Sequence, residues 1–163
     1  MTRPAIPAAT LVVLREREAG PPELLMVERT ARMAFAGGAM VFPGGRIDEE
    51  DRALATGLTA PDAPFRIAAV RETLEESGVP VALDPLPDQE LAAQLQDALH
   101  SGASFATLLA DHGLSLRLEA LAPFARWKPA FHQARIFDTI FFIAEAPAGD
   151  WQPRPQAGEC ENV

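Results

Sequence analysis

Glu72, Glu75 and Glu76 stand at i, i+3 and i+4, the spacing that makes side chains neighbours on one flank of a helix. Like charges so placed repel by about 0.2–0.5 kcal/mol per pair when solvated, so the pattern needs a reason. One reading is a solvated acidic face. The other is a site for a hard divalent cation, which takes several oxygen ligands and cancels the repulsion. The macrodipole favours acids near a helix N-terminus. These three fall in the C-terminal half of their helix, so neither capping nor the dipole accounts for them, which adds some weight to the cation and leaves both readings open. Arg71 precedes them, either as a surface ion pair or as the group that orients one carboxylate through a bidentate contact. Upstream, Phe42-Pro43-Gly44-Gly45 ends an apolar run in two glycines. That is either a tight turn or a place where backbone must approach a ligand closely.

The helix that carries the glutamates is predicted over Pro64 to Ser77. Asp62 is its expected N-cap, Pro64 sits in the first turn, and Gly78 and Pro80 supply the stop signal. Ile67, Val70 and Leu74 share the flank opposite the acids, so that flank is the expected core side. The β-branched run Ala8 to Leu14 and the segment Glu23 to Arg29 read as strands in a hairpin across Gly20-Pro21-Pro22. Met40-Val41-Phe42 is a further short extended run, closed by Pro43-Gly44-Gly45. Residues 46–63 read as a polar loop. Leu91 to Leu99 and Phe105 to His112 read as short helices, Phe124 to Trp127 as a short strand, and Ile136 to Ala144 as a central strand. Residues 147–155 form a Pro- and Gly-rich tail. Strands and helices mixed around one core indicate an α/β (α+β) layered domain.

The 163 residues suit one domain over 1–163. Asp and Glu number 23 against 14 Lys and Arg, for a net charge of −9. So acidic a chain is a poor non-specific binder of nucleic acid or anionic membrane, and it would need a metal to handle phosphates. Cys160 is the only cysteine, which excludes an intrachain disulfide and a Cys-based zinc site and points to a reducing compartment. No long apolar stretch marks a signal peptide or a membrane span. His100, His112 and His132 lack partners at ligand spacing. Trp127, Trp151 and Phe131 could stack on a base, although core packing is their default. Ser77 and Ser104 lack a nearby His and Asp, and Gly37-Gly38 is not followed by the Gly-Lys-Ser/Thr of a phosphate-binding loop.

Gly45 together with Arg71-Glu72-Thr73-Leu74-Glu75-Glu76-Ser77-Gly78-Val79 resembles the signature of the Nudix hydrolases. That signature reads Gly, five residues, Glu, seven residues, then Arg-Glu-apolar-x-Glu-Glu-x-Gly-apolar. Thr73 stands at a usually apolar position and Asp51 replaces the middle Glu. Residues 52–70 supply 19 residues where seven are usual, an insertion at about 52–63 in a loop that tolerates length. The interrupted signature is similar to a branch that includes peroxisomal acyl-CoA diphosphatases and bacterial relatives. Leu24 to Gly45, with Glu28-Arg29-Thr30, partly resembles the element preceding the box in CoA-cleaving members, although Arg32 is out of register and Ala34 takes the expected site. Residues 87–113 resemble that branch's helical insertion. The family usually continues with a strand and a helix beyond residue 160, so a truncated C-terminus is expected.

The resemblance implies a Nudix-type α/β/α sandwich around a mixed sheet. It also implies a Mg²⁺-dependent (or Mn²⁺-dependent) hydrolase of a diphosphate linking a nucleoside to another group. CoA or acyl-CoA is the leading substrate; ADP-ribose, a nucleotide sugar or a dinucleotide is the alternative. A non-catalytic ligand-binding domain and a plain acidic interaction module are the other classes. Glu72, Glu75 and Glu76, with the carbonyl of Gly44 or Gly45, would hold the metal, and Arg71 would join the catalytic set. Metal would neutralise phosphate oxygens and lower the pKa of a bound water. Arg29, Arg32 and Arg46 could reach substrate phosphates, beside Gly44 and Gly45. The general base stays open between a box glutamate and Glu159 or Glu161. A cytoplasmic location, a small-molecule nucleotide as partner and a homodimer complete the expectation.

Overall fold

The computed structural model describes residues 4–30, 37–129, 136–156, 158 and 160–163. Among the described residues ten strands and four α-helices follow in order: β1 (Ile6–Arg15), β2 (Glu23–Leu24), β3 (Val27–Arg29), β4 (Met40–Val41), β5 (Gly44–Arg46), α1 (Glu49–Leu54), α2 (Ala63–Ser77), β6 (Leu83–Asp84), α3 (Gln89–His100), α4 (Phe105–Asp111), β7 (Ser115–Leu116), β8 (Ala122–Trp127), β9 (Phe137–Glu145) and β10 (Cys160–Asn162). This is the mixed α/β fold that the sequence implies.

The apolar runs of β1 and β9 form the centre of the large sheet. They pair in parallel from Ile6–Phe137 to Leu14–Glu145. A strand buried on both flanks reads as a continuous apolar run rather than an alternating one. The sheet order is β2-β1-β9-β8, with β5 also antiparallel to β1. A second sheet runs β10-β3-β4, and β6 pairs with β7. Helix α2 packs against β1 and β5 on one side and against α3 on the other. Ala9, Leu11, Val13 and Phe142 of the sheet meet Ile67, Val70 and Leu74 of α2, with Leu95 of α3 and Phe105 of α4 behind them. Burying each of these larger side chains contributes about 1.5–3 kcal/mol.

Several expectations are corrected. Residues 46–63 are not all loop: α1 lies within them. Its start is a reciprocal capping box between Asp48 and Asp51, with the Asp48 N–H donating to Asp51 Oδ2 at 2.8 Å. An acidic pair replaces the usual Ser/Thr and Glu, so the helix is hidden in what reads as loop composition. From α1, the Glu50 carboxylate accepts hydrogen bonds from the Ser104 hydroxyl and from the Phe105 and Ala106 N–H groups, tying α1 to the start of α4. Asp62 does not cap α2 through its side chain. Its carboxylate is taken by Arg66 at 2.9 and 3.0 Å, while Arg66 also reaches the Leu118 carbonyl and lies over the Phe142 ring. The segment Glu23 to Arg29 is two strands in different sheets, not one.

Candidate active site

Helix α2 is buried almost all round. Thr73 and Ser77 tolerate this because their hydroxyls donate to the Ala69 and Thr73 carbonyls at 2.7 and 2.6 Å. A polar residue at the apolar signature position is thereby satisfied. The helix ends at Gly78, whose φ of +70° suits glycine. The Gly78 N–H donates to the Leu74 carbonyl at 2.8 Å. The next orphan carbonyls, Glu76 and Ser77, accept from the Gln156 and Arg154 N–H groups at 3.2 and 2.7 Å.

The same burial removes the solvated-face reading of the glutamates. Glu76 is only 7% exposed, and the Glu72 and Glu75 side chains are 17% and 22% exposed. They face β5. The Gly44 N–H donates to Glu76 Oε2 at 3.0 Å. A Cβ built on Gly45 would stand 2.6 Å from Glu72 Oε2. The two glycines are therefore extended strand rather than a turn, and no positive φ is involved. Gly45 leaves room for Glu72, while a Cβ on Gly44 would meet Thr10 Cα of β1 at 2.8 Å.

The strand register also separates the two glycine carbonyls. Leu11 N–H donates to Pro43 O and Ile47 N–H to Pro7 O, each at 3.0 Å. Alternation along an antiparallel pair then gives the ladder bonds to Ala9–Gly45 and turns the Gly44 N–H and C=O away from β1. The Gly44 N–H on Glu76 fits this. Of the two carbonyls, Gly44's is the one aimed at the glutamate side.

Arg71, expected among catalytic groups, is 6% exposed. Its guanidinium holds Asp51 in a bidentate pair, both bonds 3.0 Å, and reaches the Arg46 carbonyl at 3.2 Å. Its remaining arm lies 3.0 Å from Glu72 Oε1 and 3.5 Å from Glu75 Oε2. Arg71 is thus in contact with Asp51, Glu72 and Glu75 at once. Asp51, fully buried, supports it from α1. The carboxylates hold the guanidinium pKa above its ordinary value against the opposing effect of burial. Burial pushes the Glu72 carboxyl up to about 7; Arg71 opposes this shift and the nearby Glu75 charge adds to it.

The described contacts thus gather Gly44, Gly45, the Arg46 carbonyl, Arg71, Glu72, Glu75 and Glu76. The Arg46 side chain is exposed. Arg29 lies half-buried in β3 of the second sheet, opposite Cys160. Arg32, Ala34, Phe131, His132 and Glu159 lie outside the described residues, and so does the Glu161 side chain. Trp151 is core at 8% exposure, whereas Trp127 is exposed on β8. Sequence reasoning missed Gln156, whose amide reaches Glu75; no spacing in the sequence links residues so far apart.

The donor set is hard oxygen throughout, and the space over Gly45 is shaped for a carboxylate. Among the described residues no three acidic, His or Cys side chains alone form a cage for an ion. A cation here would have to rest on one or two of the carboxylates with waters and substrate phosphate, the ligand set that Mg²⁺ uses, and the hard-oxygen chemistry of the donors is compatible with it. Among the described residues no helix is long and apolar enough to cross a membrane.

No protein-family model matches the chain. A crystal structure of a NUDIX hydrolase from Alicyclobacillus acidocaldarius is 28% identical and superimposes with a TM-score of 0.81, over 99% of this chain and 78% of that one. A MutT/nudix family protein from Enterococcus faecalis has a TM-score of 0.57 at 13% identity, over 99% of this chain and 43% of that one. The NUDIX domain of Shewanella oneidensis NrtR, solved with ADP ribose, has 0.55 at 12% identity, over 99% and 71%. These two show the fold alone. In sequence, the Caenorhabditis elegans protein "Putative nudix hydrolase 7" is 46% identical over 56 residues, which is 34% of this chain and only 17% of that relative's length. The Alicyclobacillus structure and the Nudix-named relative support placing this chain in the Nudix hydrolase superfamily.

Proposed function

We propose that the chain is a Mg²⁺-dependent or Mn²⁺-dependent Nudix-type diphosphatase, cleaving a nucleoside diphosphate linked to a second group. The observation that carries this reading is the glutamate face of α2 lying against Gly44 and Gly45 rather than in solvent. Glu72, Glu75 and Glu76, with the Gly44 carbonyl, would hold the metal. When bound, it would neutralise the anionic oxygens around phosphorus and lower the pKa of a water.

The protein's own part is preorganisation. Asp51 fixes Arg71, Arg71 fixes Glu72 and Glu75, and the Gly44 N–H fixes Glu76. A carboxylate already held in place loses little entropy when a cation arrives. Arg46, next to Gly45 in β5 and exposed, would meet substrate phosphate. CoA or acyl-CoA is the leading substrate, on the resemblance of the interrupted signature. ADP-ribose is the second reading, favoured by the fold shared with the NrtR domain solved with that ligand. The lone cysteine fits a cytoplasmic setting.

The test incubates the protein with CoA, ADP-ribose and dinucleotides, with and without Mg²⁺, and separates the products. Metal-dependent release of a nucleoside monophosphate or phosphopantetheine supports the proposal. Calorimetric metal binding with no turnover favours a ligand-binding domain. Neither turnover nor metal binding leaves an interaction module.

A further inference from the structure

We propose that Gln156 is a positioning residue for Glu75, reaching the site from the tail to hold the carboxylate through Oε1 while Arg71 lies by Oε2. The inference rests on the metal-dependent reading above. Gln156 Nε2 lies 3.3 Å from Glu75 Oε1 and 2.8 Å from His100 Nδ1. Arg71 approaches the other oxygen, Glu75 Oε2, at 3.5 Å. The two contacts set the amide's orientation. A carboxylate only accepts hydrogen bonds, so the NH₂ must face Glu75, and His100 must present Nδ1 as an acceptor to the second hydrogen.

This orientation has a cost. Gln156 is 5% exposed, and its Oε1 is buried with no hydrogen-bond partner among the described residues. An unpaired buried acceptor lowers stability. What the amide secures is the Glu75 rotamer.

The backbone that carries Gln156 is tied down independently of its side chain. Arg154 N–H and Gln156 N–H close the C-terminal carbonyls of α2. Gln96 Nε2 donates to the Glu75 and Arg154 carbonyls at 3.1 and 2.8 Å. Gly78 leaves the space that Gln96 needs, since a Cβ there would stand 2.9 Å from Gln96 Oε1. The strap therefore stays in place when the Gln156 amide is altered.

The experiment compares wild type, Gln156→Met, Gln156→Asn and Arg154→Ala. Free Mn²⁺ is titrated by electron paramagnetic resonance without nucleotide, and thermal unfolding is followed without metal. Methionine keeps the volume and removes both the donor and the stranded acceptor. Gln156→Met is expected to melt at or above wild type yet bind Mn²⁺ at least tenfold more weakly, the range typical of a lost outer-sphere partner. In turnover, kcat falls more than KM rises. Arg154→Ala, whose side chain pairs with Asp97 at the surface, is expected to keep wild-type Mn²⁺ affinity. Should Gln156→Met fold poorly, Gln156→Asn withdraws the amide while staying polar and is read by the same titration. Wild-type Mn²⁺ affinity in the folded variants overturns this inference alone. A wild-type protein that binds no Mn²⁺ overturns the metal-dependent reading and this inference with it.

Discussion

Replacing Gly45 by alanine separates the needs of the site from those of the fold. Gly45 sits in β5 without a positive φ, so alanine meets no backbone strain there. By restricting the unfolded chain, a Gly→Ala change at a compatible position stabilises by about 0.4–1 kcal/mol. The new Cβ, however, would stand 2.6 Å from Glu72 Oε2 and closer still to Oε1. The neighbour that must yield is the end of a side chain, not backbone, so the carboxylate retreats by about 1 Å and the strand stays. A misplacement of about 1 Å at a catalytic centre costs about 10²-fold, or about 2.7 kcal/mol of transition-state stabilisation. The assay is kcat/KM on the best diphosphate substrate under saturating Mg²⁺, with thermal unfolding beside it. The expected outcome is a loss near 10²-fold with the melting temperature unchanged or raised. Wild-type kcat/KM in Gly45→Ala would refute the reasoning that this glycine exists to seat Glu72. Gly44→Ala makes the contrast. Its Cβ would meet the β1 backbone, so it is expected to lose about 1–3 kcal/mol of stability as an overpacked site.

Three further outcomes are expected. Glu76→Gln keeps an acceptor for the Gly44 N–H, so it should fold normally and lose turnover; a circular dichroism melt and the product assay check both, and retained activity would misplace the metal. Asp51→Ala leaves the buried Arg71 short of its bidentate partner and undoes the α1 capping box, which should cost about 3–5 kcal/mol in urea melts; a loss under about 1 kcal/mol would mean that Glu72 and Glu75 alone hold the guanidinium. Glu72, pushed up to about 7 from 4.5 by burial, binds a proton more tightly folded than unfolded. The stability this gives is fully present below about 4.5 and is lost as pH rises through about 7. Relative to Glu72→Gln, metal-free wild type should therefore lose about 3 kcal/mol across that window, and saturating Mg²⁺ should restore it; a flat difference would contradict the shift.

The parts of the molecule legible from the residues are those governed by local pattern. The helix carrying Glu72, Glu75 and Glu76 shows its core flank and its Gly78 stop, and β1 and β9 show as apolar runs. What escaped is set by partners distant in sequence. Asp62 has the look of a cap, but Arg66 claims it. Gly44-Gly45 reads as a turn because nothing local reveals that Glu72 needs the space above Gly45 and β1 the space beside Gly44. Helix α1 is too short and too acidic to show a period, and its Asp48–Asp51 box uses residues common in loops. Gln156 carries no signal at all, since its contact with Glu75 spans half the chain.

The most direct test is anomalous diffraction from crystals soaked in Mn²⁺. The account expects an ion within about 2.0–2.2 Å of α2 glutamate oxygens and the Gly44 carbonyl, with Arg71 still held by Asp51. An ion bound elsewhere, or an α2 flank that stays without metal under saturating Mn²⁺, would contradict it.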